Sequence, residues 1–338
     1  MKSPAPVKYR AALHFYAIGL SVATFFLLFA GGMVTSTNSG LAVPDWPNTF
    51  GQNMFLYPPS MMKGGIFYEH GHRLFASLVG FLTIGICLAF WILEKRRWLR
   101  WTGTLALVLV ICQGVLGGIT VLYKLPMPVS AAHACTAELF FAVTLLMAFA
   151  TSRAWISAAG AKVRWASPEQ ALSIAFCIAV FLQILVGAVM RHSYAGLSIP
   201  TFPLAFGEIV PPFWNFGITM HFLHSRIGAL LLVLLGGLFI AAVMRSPGHS
   251  ARIKAAAGLL GLLLIGQCVL GMITVWTGKA PLLTTLHLSG GALVFATGIL
   301  LALAIYRLRD AASLRLGFAE SSVRTSPSSK PRDGVALT

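Results

Sequence analysis

Residues 113–133 read QGVLGGITVLYKLPMPVSAAH, and residues 267–287 read QCVLGMITVWTGKAPLLTTLH. In each, a glutamine opens a mostly apolar run, a short loop interrupts it, and a histidine stands 20 residues beyond the glutamine. Self-similarity at a fixed displacement is the mark of a chain built from repeated units. Here the displacement is about 154 residues, and it extends well beyond these two stretches. Gly40-Leu-Ala-Val-Pro-Asp-Trp-Pro47 returns as Gly196-Leu-Ser-Ile-Pro-Thr-Phe-Pro203, each followed four positions on by Gly51 or Gly207. Glu69-His-Gly-His72-Arg73 has its counterpart in His221-Phe-Leu-His224-Ser-Arg226.

The solvent around these repeats is set by composition. Of 338 residues, 57% are hydrophobic and 10% charged, against about 25% charged in an ordinary soluble domain. Apolar runs long enough to cross a hydrocarbon core recur at about 14–36, 69–93, 101–123, 130–150, 170–192, 216–244, 254–276 and 283–306. The expected fold is an all-α integral membrane protein of eight transmembrane helices, arranged as two four-helix bundles. An even number of spans per repeat inserts both copies in the same orientation, so the bundles form a parallel repeat.

A net charge of +16 would suggest nucleic acid in a soluble protein. Its placement says otherwise. Nineteen of the 25 basic residues lie before span one, after span eight, or in the loops that follow even-numbered spans. The alternate loops hold only Lys63, Lys124, Arg191 and Lys279, and Arg73 and Arg226 fall inside spans. By the positive-inside rule both termini are cytoplasmic and the charge reports topology, which leaves a lipid bilayer and no nucleic acid as the surroundings. The expected address is a bacterial inner (cytoplasmic) membrane, with span one as an uncleaved insertion signal.

The chain divides accordingly into a cytoplasmic N-terminus (1–13), a first four-helix repeat (14–150), a cytoplasmic linker (151–169), a second four-helix repeat (170–306) and a disordered cytoplasmic tail (307–338), rich in Ser, Pro and basic residues. Five cysteines, at 87, 112, 135, 177 and 268, show no CxxC or CxxCH spacing and read as packed thiols.

Four of the nine histidines occupy equivalent places: His72, His133, His224 and His287. Each begins a helix that enters from the outer side, so the four imidazoles lie at one depth. Two pairs at one depth is the arrangement of two bis-histidine haem sites, for which a bundle interior supplies dry walls. The alternative for any single one is a polar residue bonded to a carbonyl, but matched recurrence in two repeats favours ligands. His14, His70, His192, His221 and His249 lack such matching and read as interfacial or loop residues, although His221 shares a helix face with His224.

Glu69 shares its helix face with His72 and is a candidate catalytic carboxylate, or a helix-terminal residue favoured by the dipole. The second repeat has His221 in its place, so the two sites are expected to do different work: one reactive, one handling electrons. Arg73 and Arg226 are candidate cofactor-binding residues that pair with haem propionates, or else snorkel to lipid phosphate. Gln113 and Gln267 suit interhelical hydrogen bonding. Glu138, deeper on span four, could relay protons or pair locally.

Eight spans in two repeats, ExxHR at span two, a histidine at the head of span four, and GAVMRHSYAGLSIPTFP at 187–203 resemble the haem A synthase family of cytochrome oxidase assembly proteins. The likeness runs from about residue 15 to 306. It implies oxidation of the C8 methyl group of haem O to a formyl group. His72 and His133 would then hold haem O as substrate beside Glu69, and His224 and His287 would hold haem b. Haem O synthase and an electron donor are the partners it implies, and a homo-oligomer is compatible with it. Two departures stand out: the stretch from Thr35 to Trp46 lacks the cysteine pair that many members carry, and His224-Ser-Arg226 has one residue more than the family's His-Arg, which leaves His221 as an alternative ligand. A bis-haem b electron carrier without haem-modifying activity is the competing function, and a transporter built on a parallel repeat is a third.

Overall fold

The structure, a computed structural model, describes residues 8–158 and 167–324, with side chains described as far as Arg307. Parts of the expected N-terminus, linker and tail (1–7, 159–166 and 325–338) therefore lie outside the described residues. The chain is helical: α1 (Ala11–Ser36), α2 (Gly65–Leu93), α3 (Arg97–Leu122), α4 (Met127–Ala150), a short α5 (Arg153–Ser157), α6 (Pro168–His192), α7 (Phe216–Phe222), α8 (Ala229–Arg245), α9 (Ala251–Trp276) and α10 (Pro281–Arg324). A π-helical turn, Leu223–Gly228, joins α7 to α8 into one continuous rod.

Eight of the described segments are long and apolar enough to cross a membrane. Helices suit that solvent because they satisfy every backbone N–H and C=O internally. Several begin a few residues before the apolar runs do: α2 at Gly65, α3 at Arg97 and α4 at Met127. The reason is chemical: a helix keeps its hydrogen bonds through the headgroup layer, where Arg97 and Trp98 are welcome, so hydropathy marks the hydrocarbon and not the helix end. At the other end α10 continues to Arg324, so helix occupies the start of the segment expected to be disordered. The α6 start carries a capping box, with Ser167 and Gln170 each bonding the other's backbone N–H.

α1 packs on α2, α4 and α10; α6 packs on α8, α10 and α4; and α4 meets α10 between them. This set of contacts is unchanged if the two halves are exchanged. The α4–α10 seam is filled by Phe141 and Leu145 against Ala292 and Ala296. Small side chains on one face let the helices approach closely, which is what holds helices together where lipid is as apolar as leucine. On either side lie separate cores, one around Leu20, Ile86 and Phe90, the other around Phe176, Phe239 and Leu260. At the end of the bundle where α2 meets α3, Arg96 bonds both carboxylate oxygens of Glu94 and the Ala150 carbonyl, tying the α2–α3 loop to the end of α4.

The loops between the first two spans of each half also match in detail. Both contain a cis proline, Pro47 or Pro203, and an isolated bridge, Thr49 with Gln52 or Ala205 with Glu208. Left-handed backbone recurs at Phe50 and Phe206 and at Gly51 and Gly207.

Candidate functional site

Each of the four matched histidines rests its ring on a glycine of the helix that precedes its own. A Cβ built on Gly31 (α1) would stand 3.1 Å from His72 Cε1, one on Gly117 (α3) 3.4 Å from His133 Cε1, one on Gly187 (α6) 2.7 Å from His224 Cε1, and one on Gly271 (α9) 3.0 Å from His287 Cε1. At Gly187, Gly271 and Gly31 a Cβ would crowd the ring, whereas at Gly117 it would just touch it. Nδ1 of all four rings is buried and makes no hydrogen bond. A buried polar atom without a partner is costly, and its recurrence at four equivalent places calls for a functional reason.

Glutamines hold the backbone at three of the histidines. Gln113 Nε2 donates to the His133 carbonyl at 3.0 Å, Gln183 Nε2 to the His224 carbonyl at 2.6 Å, and Gln267 Nε2 to the His287 carbonyl at 2.6 Å. The interhelical role expected for Gln113 and Gln267 is thus their role in the structure. Gln183 was not anticipated, although its signal was in the sequence: in all three helices the glutamine stands four residues before the glycine, one turn away on the same face.

The rings of His224 and His287 face one another with centres 6.2 Å apart and planes at 87°. Two metal–imidazole bonds of about 2.0 Å each, plus about 1.1 Å from each nitrogen to its ring centre, give about 6.2 Å. That separation is compatible with a metal held between the two rings, and with Nδ1 closed off in the protein, Nε2 is the nitrogen that would be available to it. His72 and His133 lie within electrostatic reach of each other in the first half. A haem fits this donor set: two imidazoles in each half, rings seated on glycine, and no competing hydrogen bond at Nδ1 of any of the four rings.

His221 is occupied elsewhere. Its Nδ1 accepts the Ile199 N–H at 3.1 Å. In the first half Glu69 Oε2 accepts the equivalent Val43 N–H at 2.7 Å. Glu69 and His221 thus anchor the two outer loops in the same way, and both are buried. The extra residue in His224-Ser-Arg226 is absorbed by the π turn, since one residue added to a helix is accommodated by a wider i→i+5 loop. Arg226 consequently keeps the reach of Arg73. Arg73 donates to the carbonyls of Val43, Asp45 and Asn48, and Arg226 to those of Thr201 and Leu204. Both guanidinium groups pin their outer loop; Arg226 Nε is buried and has no partner.

Glu69 also pairs with Arg73 at 2.5 Å, one helical turn away. Asp45, in the loop above, accepts the backbone N–H groups of Phe50 and Gly51 at 2.8 and 2.7 Å. Slight burial works against the charge, but these two donors and the Arg73 charge outweigh it and hold the carboxyl below its ordinary range. Thr201 takes the same place in the second half, accepting from Phe206 N–H at 2.9 Å.

Among the unmatched histidines, His70 and His221 are fully enclosed and not interfacial: His70 Nδ1 is bonded to Thr49 Oγ1 at 3.0 Å under the Tyr57 ring, so the outer loop itself does the burying. Glu138 is buried in α4 with Oε2 unpartnered, and its counterpart by repeat is Ala292. All five cysteines are free, as their spacing implied. A groove of about 400 Å³ between α3, α4 and α10, walled by Leu105, Leu109, Leu139, Ile299 and other aliphatic side chains, offers no group for chemistry.

Residues 14–299 match a family model described as cytochrome oxidase assembly protein. Curated relatives are named haem A synthase. That of Alkalihalophilus pseudofirmus is 29% identical, over 81% of this chain and 91% of its own length. That of Shouchella clausii is 30% identical, over 78% and 86%. That of Caulobacter sp. is 28% identical, over 82% and 91%.

Proposed function

Because this chain belongs to the cytochrome oxidase assembly protein family, we propose that it carries out the haem A synthase reaction, oxidising the C8 methyl group of haem O to a formyl group in the membrane that its eight helices span. The observation that carries this reading is the inequality of two otherwise matched sites: Glu69 stands beside His72 where His221 stands beside His224. A neutral imidazole anchors the second loop where a carboxylate anchors the first, and Arg226 holds that loop with no acidic partner among the described residues, so neither the loop nor its arginine requires the carboxylate that pairs with Arg73. The carboxylate is there for chemistry.

In this reading His72 and His133 hold haem O, the substrate, with their rings set by Gly31 and Gly117. His224 and His287 hold haem b, set by Gly187 and Gly271. When bound, haem b supplies one-electron transfer between the substrate site and an external electron donor. Converting CH3 to CHO breaks methyl C–H bonds and takes its oxygen and its oxidant from outside the chain, and each C–H bond broken leaves a hydrogen to be carried off as a proton beside the substrate. Glu69 is the group placed to take one up, with Arg73 holding its carboxylate in position. Arg73 and Arg226 hold the outer loops over the two sites, and the free Nε–H of Arg226 is the donor left for a propionate.

The two halves are four-helix repeats in parallel orientation, with both termini on the cytoplasmic side of a bacterial inner membrane, a reading supported by the distribution of basic residues. Haem O synthase is the expected supplier of substrate.

Replacing one histidine of each pair tests the assignment. His72→Ala and His133→Ala should abolish haem O binding and leave haem b in place. His224→Ala and His287→Ala should remove haem b. Loss of the same haem from all four variants would overturn the division.

A further inference from the structure

The two outer loops are fastened to their own helices alike, but to the neighbouring helix they are fastened differently. In the first half the Trp46 ring lies flat on Gly118, so close that a Cβ there would stand 2.6–2.8 Å from three ring carbons. Gly118 adjoins Gly117, the seat of His133. The indole therefore covers α3 one residue on from the seat of His133, in the loop whose Val43 N–H is held by Glu69 and whose Asp45 carbonyl is held by Arg73. It is 39% exposed, and its N–H makes no hydrogen bond among the described residues.

In the second half the equivalents of Trp46 and Gly118 are Phe202 and Met272. There the loop is tied across to α9, because Trp276 Nε1 donates to the Phe202 carbonyl in a long bond of 3.4 Å. The first-half counterpart of Trp276 is Leu122, which has no donor. The second loop is thus bonded to both neighbouring helices, while the first meets α3 through a ring resting on a glycine.

A resident haem has no need to leave, whereas a substrate must enter and its product must depart at every turnover. Resting on the reading of the first half as the substrate site, we propose that Trp46 is a substrate-contacting residue and the movable wall of that site: its indole packs against the bound macrocycle edge and swings off Gly118 to admit haem O and release haem A. A flat π surface suits a porphyrin edge, and a contact made without a directed bond can be broken and remade cheaply. Gly118 is the seat that only a residue without a side chain provides.

The test uses the full-length protein in lipid nanodiscs, carrying haem O and haem b, with apomyoglobin in excess as the haem acceptor. Haems still bound are extracted and separated by chromatography. Trp46→Ala removes the wall and Gly118→Met unseats it. Both should release haem O faster than the unaltered protein by about tenfold or more, since such changes act mainly on dissociation. Haem b should be retained as before, and Trp46→Phe, which keeps a ring, should restore most of the retention. Release of haem O at the unaltered rate from both variants would overturn the proposal. Equal loss of both haems would do so too, because it would show a general structural role. Haem A formation by the unaltered protein is scored separately, so failure of the wall and failure of the enzymatic reading give different results.

Discussion

Glu69 and Arg73 form a 2.5 Å ion pair one turn apart on α2, with side chains only 4% and 10% exposed. Removing one partner of such a pair costs about 3–5 kcal/mol where it strands a buried charge. Arg73 would keep its three backbone carbonyls, so the cost here should fall below that range. Glu69→Gln and Glu69→His should therefore fold and hold both haems. The histidine variant reproduces the anchor found at His221. Each should nevertheless lose haem A formation by about a hundredfold or more, the scale of a general base. Product formation comparable to that of the unaltered protein in the histidine variant would show that Glu69 is only a loop anchor.

The glycine cradles make a graded forecast. Alanine at Gly187 would bring Cβ to 2.7 Å from His224, at Gly271 to 3.0 Å from His287, at Gly31 to 3.1 Å from His72, and at Gly117 to 3.4 Å from His133. The last is ordinary van der Waals contact. Haem loss should thus be greatest for Gly187→Ala and least for Gly117→Ala, measured as haem per protein after purification. An inverted order would contradict the cradle geometry.

Gln183, with no counterpart on α1, should matter to the second site. An interhelical hydrogen bond in a membrane is worth about 0.6 kcal/mol on average and at most about 1.7. Gln183→Leu should lower thermal stability by that modest amount and disturb the haem b spectrum more than Gln113→Leu does. Equal effects on the two haems would argue against this hold on the histidine backbone.

Acid should open the first outer loop before the second. Asp45 is held below its ordinary range by the Phe50 and Gly51 N–H groups and by Arg73, so it stabilises the loop at neutral pH. That contribution is lost as pH falls through its lowered value. Thr201, which does not titrate, takes the same place in the second half. Hydrogen exchange at Phe50 and Gly51 should rise below about pH 4, while Phe206 should not follow. Asp45→Asn should remove the difference.

The spans, their number and the matched histidines were legible because hydrophobicity and repetition are properties of sequence alone. So was the inequality of Glu69 and His221. What the histidines rest on was not legible, since a glycine on one helix and a ring on the next are related only through packing. Arg73 and Arg226 were expected to pair with propionates or with lipid phosphate, and their hold on the loops was not legible. The loops that fold back to engage them through backbone carbonyls leave no trace in side-chain pattern. The extra Ser225 appeared to shift the register, and a π turn removes the shift without moving His224 from His287.

One measurement bears most directly on the enzymatic reading. The chain is co-expressed with haem O synthase in a host that makes no haem A, and the membrane haems are extracted and separated. Haem A is expected with the unaltered chain and only haem O with Glu69→Ala. Haem O alone in both would contradict it and leave a bis-haem electron carrier.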